Sequence, residues 1–213
     1  MSALSLKICG MRDPDNIREV AALTPDYMGF ICWPGSSRFV GDEFRITDQM
    51  MISPSTRRVG VFVNQSVDEI ARWTARIGCS VIQLHGEEDR ELCRQVGAIA
   101  GVDEIWKAVP IATKYPHEVI DRYRDIVQRV LFDTASSARG GTGKKFDHSV
   151  LAQHDPSTPC AIAGGLSSAD IPQLVEWSGS LLNPLVADFN SALEVSPGLK
   201  SIDAVRHLMQ HQT

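Results

Sequence analysis

The chain has 213 residues, 43% of them apolar and 22% charged, and 21 Lys and Arg against 26 Asp and Glu leave a net charge of −5. That length suits a single domain, residues 1–213, with a core large enough to stand alone. Mild acidity without a basic stripe interleaved with aromatics counts against a nucleic-acid or membrane surface, and no apolar stretch approaches the ~20 residues that cross a bilayer.

Taken in chain order, short runs rich in Val, Ile, Leu and Phe alternate with helical patterns. The first predicted strand is residues 6–9, in which Lys7 interrupts the apolar stretch before a signal-peptide core forms. Asp13-Pro14 then offers an N-cap and a first helical residue, with Ile17, Val20 and Ala21 on one face. Residues 27–32 form the second predicted strand, a weaker helix fits around 43–52, and 59–63 is the third strand. Ser66-Val67-Asp68-Glu69 reads as a capping box, with Ile70, Trp73 and Ile77 as the apolar stripe and Gly78 as the C-terminal cap. Strands at 81–85, 105–109 and 130–133 alternate with weaker helices around 88–100 and 117–128. A strand at 160–163, a helix led by Ser168, a strand at 182–188 and a helix led by Ser201 complete the chain.

Such unalternated apolar runs fit a parallel sheet covered on both faces. About eight strand–helix units predict an α/β fold, a single (β/α)8 barrel. An open doubly wound sheet would place a glycine-rich turn after its first strand. The turn here is Cys9-Gly10-Met11-Arg12, and the glycine-rich turns come late, at Gly140-Gly141-Thr142-Gly143 and Gly164-Gly165. Cys9, Cys32, Cys79, Cys93 and Cys160 are odd in number and widely spaced, so neither a disulfide framework nor a zinc site is expected, and the protein is expected in the cytoplasm.

Cys9 and Asp133 each end an apolar run. If both runs are parallel strands of one barrel, thiol and carboxylate project from the same rim into one mouth. A thiolate takes a proton from carbon while a carboxylic acid gives one to oxygen, a pair sufficient for an isomerase that needs no metal or cofactor. Against this, a lone cysteine also serves as a small buried hydrophobe, whereas a carboxylate ending a buried strand has to be paired, capping or functional. His85 and Asp188 end the fourth and last predicted strands; His85 fits a structural role or a ligand contact, and Asp188 is placed to orient a substrate hydroxyl or amine. Arg38 lies on a loop able to reach over the mouth. Gly140–Lys144 has the composition of a lid for a phosphate dianion or of a plain surface loop, and its spacing is not that of a Walker A loop. Gly164-Gly165 permits close backbone approach to a ligand before a helix N-terminus, or simply a tight turn.

These residues together resemble one family. Lys7-Ile8-Cys9-Gly10-Met11, Met28-Gly29-Phe30, Ser37-Arg38-Phe39-Val40, Val59-Gly60-Val61-Phe62-Val63-Asn64, Gln83-Leu84-His85-Gly86-Glu87 and Gly140-Gly141-Thr142-Gly143-Lys144-Lys145-Phe146-Asp147 are similar, in order, to the motifs of phosphoribosylanthranilate isomerase, as are Ala163-Gly164-Gly165-Leu166 and Glu194-Val195-Ser196-Pro197-Gly198-Leu199-Lys200. The resemblance runs from about residue 6 to 203. It implies an Amadori rearrangement of a small phosphoribosyl substrate in tryptophan biosynthesis, with Cys9 as general base and Asp133 as general acid. It further implies that Arg38 faces the anthranilate carboxylate and that Gly143, Gly164, Gly165 and the Asn190-Ser191-Ala192 turn hold the phosphate. A monomer and a homodimer both remain compatible with it. Ala192 stands where the family usually has a glycine, a substitution that matters only if the position needs a left-handed backbone. Two other readings remain: a related histidine-pathway isomerase, against which Cys9 counts because that enzyme uses carboxylates at both catalytic strands, and a barrel that binds phosphorylated metabolites without turnover.

Overall fold

All eight predicted strands form, and each hydrogen-bonds in parallel to its neighbours in the chain, in a computed structural model that describes residues 4–134 and 148–211. They are β1 (Leu4–Ile8), β2 (Tyr27–Ile31), β3 (Arg57–Phe62), β4 (Val81–Leu84), β5 (Glu104–Ile111), β6 (Arg129–Thr134), β7 (Cys160–Ile162) and β8 (Leu185–Phe189). The sheet closes where β1 meets β8, in register from Leu4 opposite Leu185 to Ile8 opposite Phe189. Alternation along each strand explains why the runs are apolar throughout. Val130 and Phe132 pack outward under the helices while Leu131 joins Val59, Val61, Val81, Trp106 and Val186 inside the barrel. Tyr27 meets Trp106 edge-on at 5.0 Å in that inner layer.

The helices are α1 (Pro14–Ala21), α2 (Val67–Ile77), α3 (Arg90–Gly97), α4 (His117–Tyr123), α5 (Ile171–Ser178) and α6 (Ile202–Met209). Asp13 caps α1 by accepting from Asn16 N at 2.9 Å, and Ser66 and Glu69 form the expected reciprocal box at α2. Gly78 ends α2 in the left-handed region at φ 60°, as its missing Cβ allows. Among the described residues none of the helices is long and apolar enough to cross a membrane.

Five expectations are corrected. No α-helix forms over 43–52, where Asp48–Met50 makes a single 3-10 turn. Ile46, Thr47 and Ile52 are β-branched, Pro54 follows, and Ile46 N donates to Arg76 O of α2. The weaker helices at 88–100 and 117–128 shrink to α3 and α4. The helix led by Ser168 is instead capped by Ser167 with Asp170, and a 3-10 turn, Ser168–Asp170, precedes α5. The last strand starts at Leu185, because Pro184 has no N–H for the ladder and Leu182 N is drawn to Pro156 O; it ends on Phe189 rather than Asp188.

Beyond β8 the chain adds a small antiparallel hairpin, β9 (Glu194–Ser196) and β10 (Leu199–Lys200). The buried Asn16 amide of α1 donates to Lys200 O at 2.9 Å and accepts from Lys200 N at 2.8 Å, stitching the hairpin to the first helix.

Candidate active site

Alternation along β1 turns Leu6 and Ile8 outward and sends Lys7 and Cys9 into the barrel. Room for both comes from Gly29 on β2, where a Cβ would stand 2.7 Å from Cys9 Sγ and 3.1 Å from Lys7 Cε. Lys7 is fully buried. An ammonium there is stable only with partners, and it has three: Nζ donates to Asp188 Oδ2 at 2.7 Å, to Gln83 Oε1 at 2.8 Å and to Cys9 Sγ at 3.3 Å.

The contacts continue across the mouth. Gln83 Nε2 lies 2.8 Å from His85 Nδ1, and His85 Nε2 lies 3.0 Å from Asp133 Oδ2. Asp133 Oδ1 accepts from Thr134 N at 2.8 Å. A single hydrogen-bonded chain therefore runs from Asp188 and Cys9 through Lys7, Gln83 and His85 to Asp133.

Burial and charge pull these groups in opposite directions. Burial lifts the Cys9 thiol above the usual range and the Asp188 carboxylate adds to it, while the Lys7 and Lys200 ammoniums oppose them. Burial works against the Lys7 charge, yet Asp188 and Cys9 outweigh it and hold the ammonium above the ordinary lysine range. Asp188 is raised by its own burial against the pull of Lys7. Its second oxygen, Oδ1, is buried with no hydrogen-bond partner among the described residues, an acceptor that a ligand in the mouth could use.

One cavity at the C-terminal end of the barrel collects these groups. Cys9, Gln83, His85, Asp133 and Asp188 line it, with Ile31, Trp33, Val61 and Val63 as an apolar wall and Gly164, Gly165, Asn190 and Ser191 along another side. Gly164 (φ 91°) and Gly165 (φ 71°) both take backbone that side chains resist. At Gly164 a Cβ would also strike Thr134 Oγ1 and come within 2.9 Å of Asp133 Oδ1. Among the described residues no three of His, Cys, Asp and Glu cluster as metal ligands would.

The profile of the N-(5'phosphoribosyl)anthranilate (PRA) isomerase family matches residues 6–211. The chain belongs to that family. It is 39% identical over 210 residues, 96% of this chain and 91% of the other, to a protein of Parabacteroides distasonis named N-(5'-phosphoribosyl)anthranilate isomerase. A protein of the same name from Phocaeicola vulgatus is 35% identical, covering 97% of this chain and 96% of its own. The crystal structure of phosphoribosyl anthranilate isomerase from Thermotoga maritima superposes with a TM-score of 0.81 at 26% identity, covering 98% of both chains.

Within this PRA isomerase fold, the cavity brings together Cys9, His85, Asp133, Asp188, Gly164, Gly165, Asn190 and Ser191. Arg38 stands beside the cavity instead of in its wall: Nε donates to Glu194 Oε1 at 2.9 Å and Nη2 to Oε2 at 2.7 Å. Glu194 also accepts from Lys200 Nζ at 2.8 Å and Gly198 N at 3.0 Å. Burial would raise the Glu194 carboxyl, but Arg38 and Lys200 outweigh it and hold it below the usual range. Ala192 is not among the left-handed non-glycine residues, Thr24, Met51 and Asn64, so its Cβ carries no backbone strain. Gly143, and with it the Gly140–Lys144 loop, lies outside the described residues.

Sequence reasoning passed over Lys7, Gln83, Glu194 and Lys200. A signal existed for Lys7: a lysine inside an otherwise apolar strand has to find buried partners. Glu194 and Lys200 carried no such mark, because a short hairpin after the barrel has no periodicity to expose it.

Proposed function

We propose that the protein converts N-(5'-phosphoribosyl)anthranilate to 1-(2-carboxyphenylamino)-1-deoxyribulose 5-phosphate, with Cys9 as general base and Asp133 as general acid. The observation that carries this reading is a thiol and a carboxyl in the wall of one cavity, joined to the same chain of buried side chains.

The chemistry follows from those two groups. The Asp133 carboxyl gives its proton to the furanose oxygen as the C1–O bond breaks, and the anthranilate nitrogen lone pair forms an iminium at C1. That positive charge acidifies the C2 hydrogen. The Cys9 thiolate takes this proton, the C–H electrons become the C1=C2 bond of an enolamine, and tautomerisation yields the ketone. Lys7 Nζ, 3.3 Å from Cys9 Sγ, partly opposes the burial that disfavours the thiolate. Each proton-transfer role is worth about 10²–10⁴-fold.

The remaining residues hold the substrate. Backbone at Gly164 and Gly165, lining the same cavity as Asn190 and Ser191, suits the phosphate, and Ala192 follows next in the chain. Asp188 Oδ1 is free to accept from a ribose hydroxyl or the anilino N–H. Nη1 of Arg38, which Glu194 leaves unused, is the donor for the anthranilate carboxylate. Every group invoked comes from one chain, so the chemistry is complete in a monomer and duplicated in a homodimer. We place this biosynthetic enzyme in the cytoplasm, in keeping with its five buried, unpaired cysteines.

The test is the anthranilate fluorescence of freshly made phosphoribosylanthranilate. Its decay on adding wild type, but not Cys9→Ala, supports reaction and base together. No decay with folded wild type would overturn the reading, and decay at the wild-type rate with Cys9→Ala would remove Cys9 from the mechanism.

A further inference from the structure

A lysine ammonium has protons to give and no lone pair. Because Lys7 Nζ lies 2.8 Å from one terminal atom of Gln83, that atom is the carbonyl oxygen and the other is the amide nitrogen. The amide nitrogen in turn only donates, and it lies 2.8 Å from His85 Nδ1. Nδ1 is therefore bare, the ring proton sits on Nε2, and Nε2–H donates across 3.0 Å to Asp133 Oδ2. Each assignment follows from the one before, starting at the lysine.

The two tautomers of His85 have opposite consequences for Asp133. With the proton on Nδ1, the bare Nε2 would face Asp133 and take the carboxyl proton: the O–H bond breaks, an N–H bond forms, and an imidazolium faces a carboxylate. The acid would be spent within the protein. With the proton on Nε2, the basic nitrogen is Nδ1, which points at the Gln83 amide and away from Asp133. Protonating Nδ1 would set two donors against each other at 2.8 Å, and turning Gln83 to relieve them would set its amide against the Lys7 ammonium.

We propose that Lys7, through Gln83, locks His85 in the Nε2–H tautomer, so that the ring cannot compete with the substrate as a base for the proton that Asp133 delivers. The proposal rests on the general-acid role of Asp133 given above, and it makes Lys7 and Gln83 positioning residues for the acid. Lys7 is itself fixed by Asp188 Oδ2 at 2.7 Å and is fully buried. The carboxylates near His85 are Asp133 of β6, in direct contact, and Asp188 of β8, reached through Lys7 and Gln83.

The tautomer is read directly by nitrogen-15 NMR of the histidine ring in substrate-free protein, with His85 assigned by the signals lost in His85→Asn. In wild type at neutral pH, Nε2 carries the proton and Nδ1 is bare. In Gln83→Glu the new carboxylate accepts from both Lys7 and Nδ1–H, so Nδ1 becomes protonated and kcat falls by about 10²–10⁴-fold with KM little changed. Gln83→Met removes donor and acceptor together; the Nε2–H preference is then lost and kcat falls while KM holds, which keeps the question open to measurement if Gln83→Glu fails to fold. A proton on Nδ1 in wild type, or wild-type kcat in the folded Gln83 variants, would overturn the lock. A locked tautomer in a protein that does not turn over phosphoribosylanthranilate would overturn the function instead.

Discussion

Lys7 and Cys9, two residues apart on the inner face of β1, meet side chain to side chain at 3.3 Å. The same ammonium is held 2.7 Å from Asp188 of β8. The charge that stabilises a thiolate is thus anchored by a carboxylate that disfavours one. Removing either partner leaves the other charge buried alone.

Lys7→Met is accordingly expected to cost about 3–5 kcal/mol of stability, the usual consequence of breaking a buried pair. Lys7→Met combined with Asp188→Asn should recover a good part of that loss, because no net charge then remains in the barrel. Urea titrations of the two variants and wild type check this; a double variant no more stable than Lys7→Met would show that the carboxylate is not what the lysine compensates.

Alkylation of Cys9 by iodoacetamide, followed by mass spectrometry of its peptide, reads the thiol. Burial, with Asp188 adding to it, holds Cys9 above the usual thiol range, so the rate should climb about tenfold per pH unit through pH ~8.5 without levelling off. Lys7→Met removes the main opposing charge and should slow the reaction further at every pH. A plateau near neutrality in wild type would contradict this electrostatic account.

Glu194 supplies an acid-sensitive element. Its folded-state carboxyl lies below the unfolded value, since Arg38 and Lys200 outweigh its burial. Its contribution is therefore complete above pH ~4.3 and is lost as pH falls through the folded value. Glu194→Gln should be destabilised at neutral pH by about 3 kcal/mol and show a shallower further loss below pH ~4. Thermal melts across that range decide it, and parallel pH profiles would exclude Glu194 as the group responsible.

The two small residues near the phosphate side should respond oppositely. Ala192→Gly should leave KM within about twofold, because Ala192 has no left-handed backbone to relieve. Gly164→Ala should cost at least about 1–2 kcal/mol from its positive φ, and more from the overlap of its Cβ with Thr134. Steady-state kinetics for the first and melting for the second are the measurements; a large KM change in Ala192→Gly would point to a backbone rearrangement on binding.

The barrel was legible because both faces of every strand are buried, which writes itself into the chain as unbroken apolar runs. Cys9, Asp133 and His85 were legible because polar groups at the ends of such runs stand out. The segment 43–52 misled because Ile46 and Met50 stand four residues apart, as on one helix face, whereas the β-branched Ile46 and Thr47 and the pull of Arg76 O favour a 3-10 turn. The Arg38–Glu194 pair spans 156 residues, and no local pattern encodes a partner that distant. Lys7 lay in plain view beside Cys9, but its role depends on Gln83 and Asp188, which only barrel closure brings to it.

That closure has a temporal meaning. Cys9 N donates to Phe189 O at 2.8 Å, and Lys7 reaches Asp188 across the same β1–β8 seam, 181 residues away in sequence. The Cys9 thiol is thus built where the first and last strands join, and contacts of such separation form late because loop-closure entropy has to be met first. A partly folded barrel, however well its inner strands pair, has no environment to tune Cys9. In refolding, the regain of turnover is a clock for the final stitch, and any earlier burial of tryptophan fluorescence reports an enzyme that is shaped but silent.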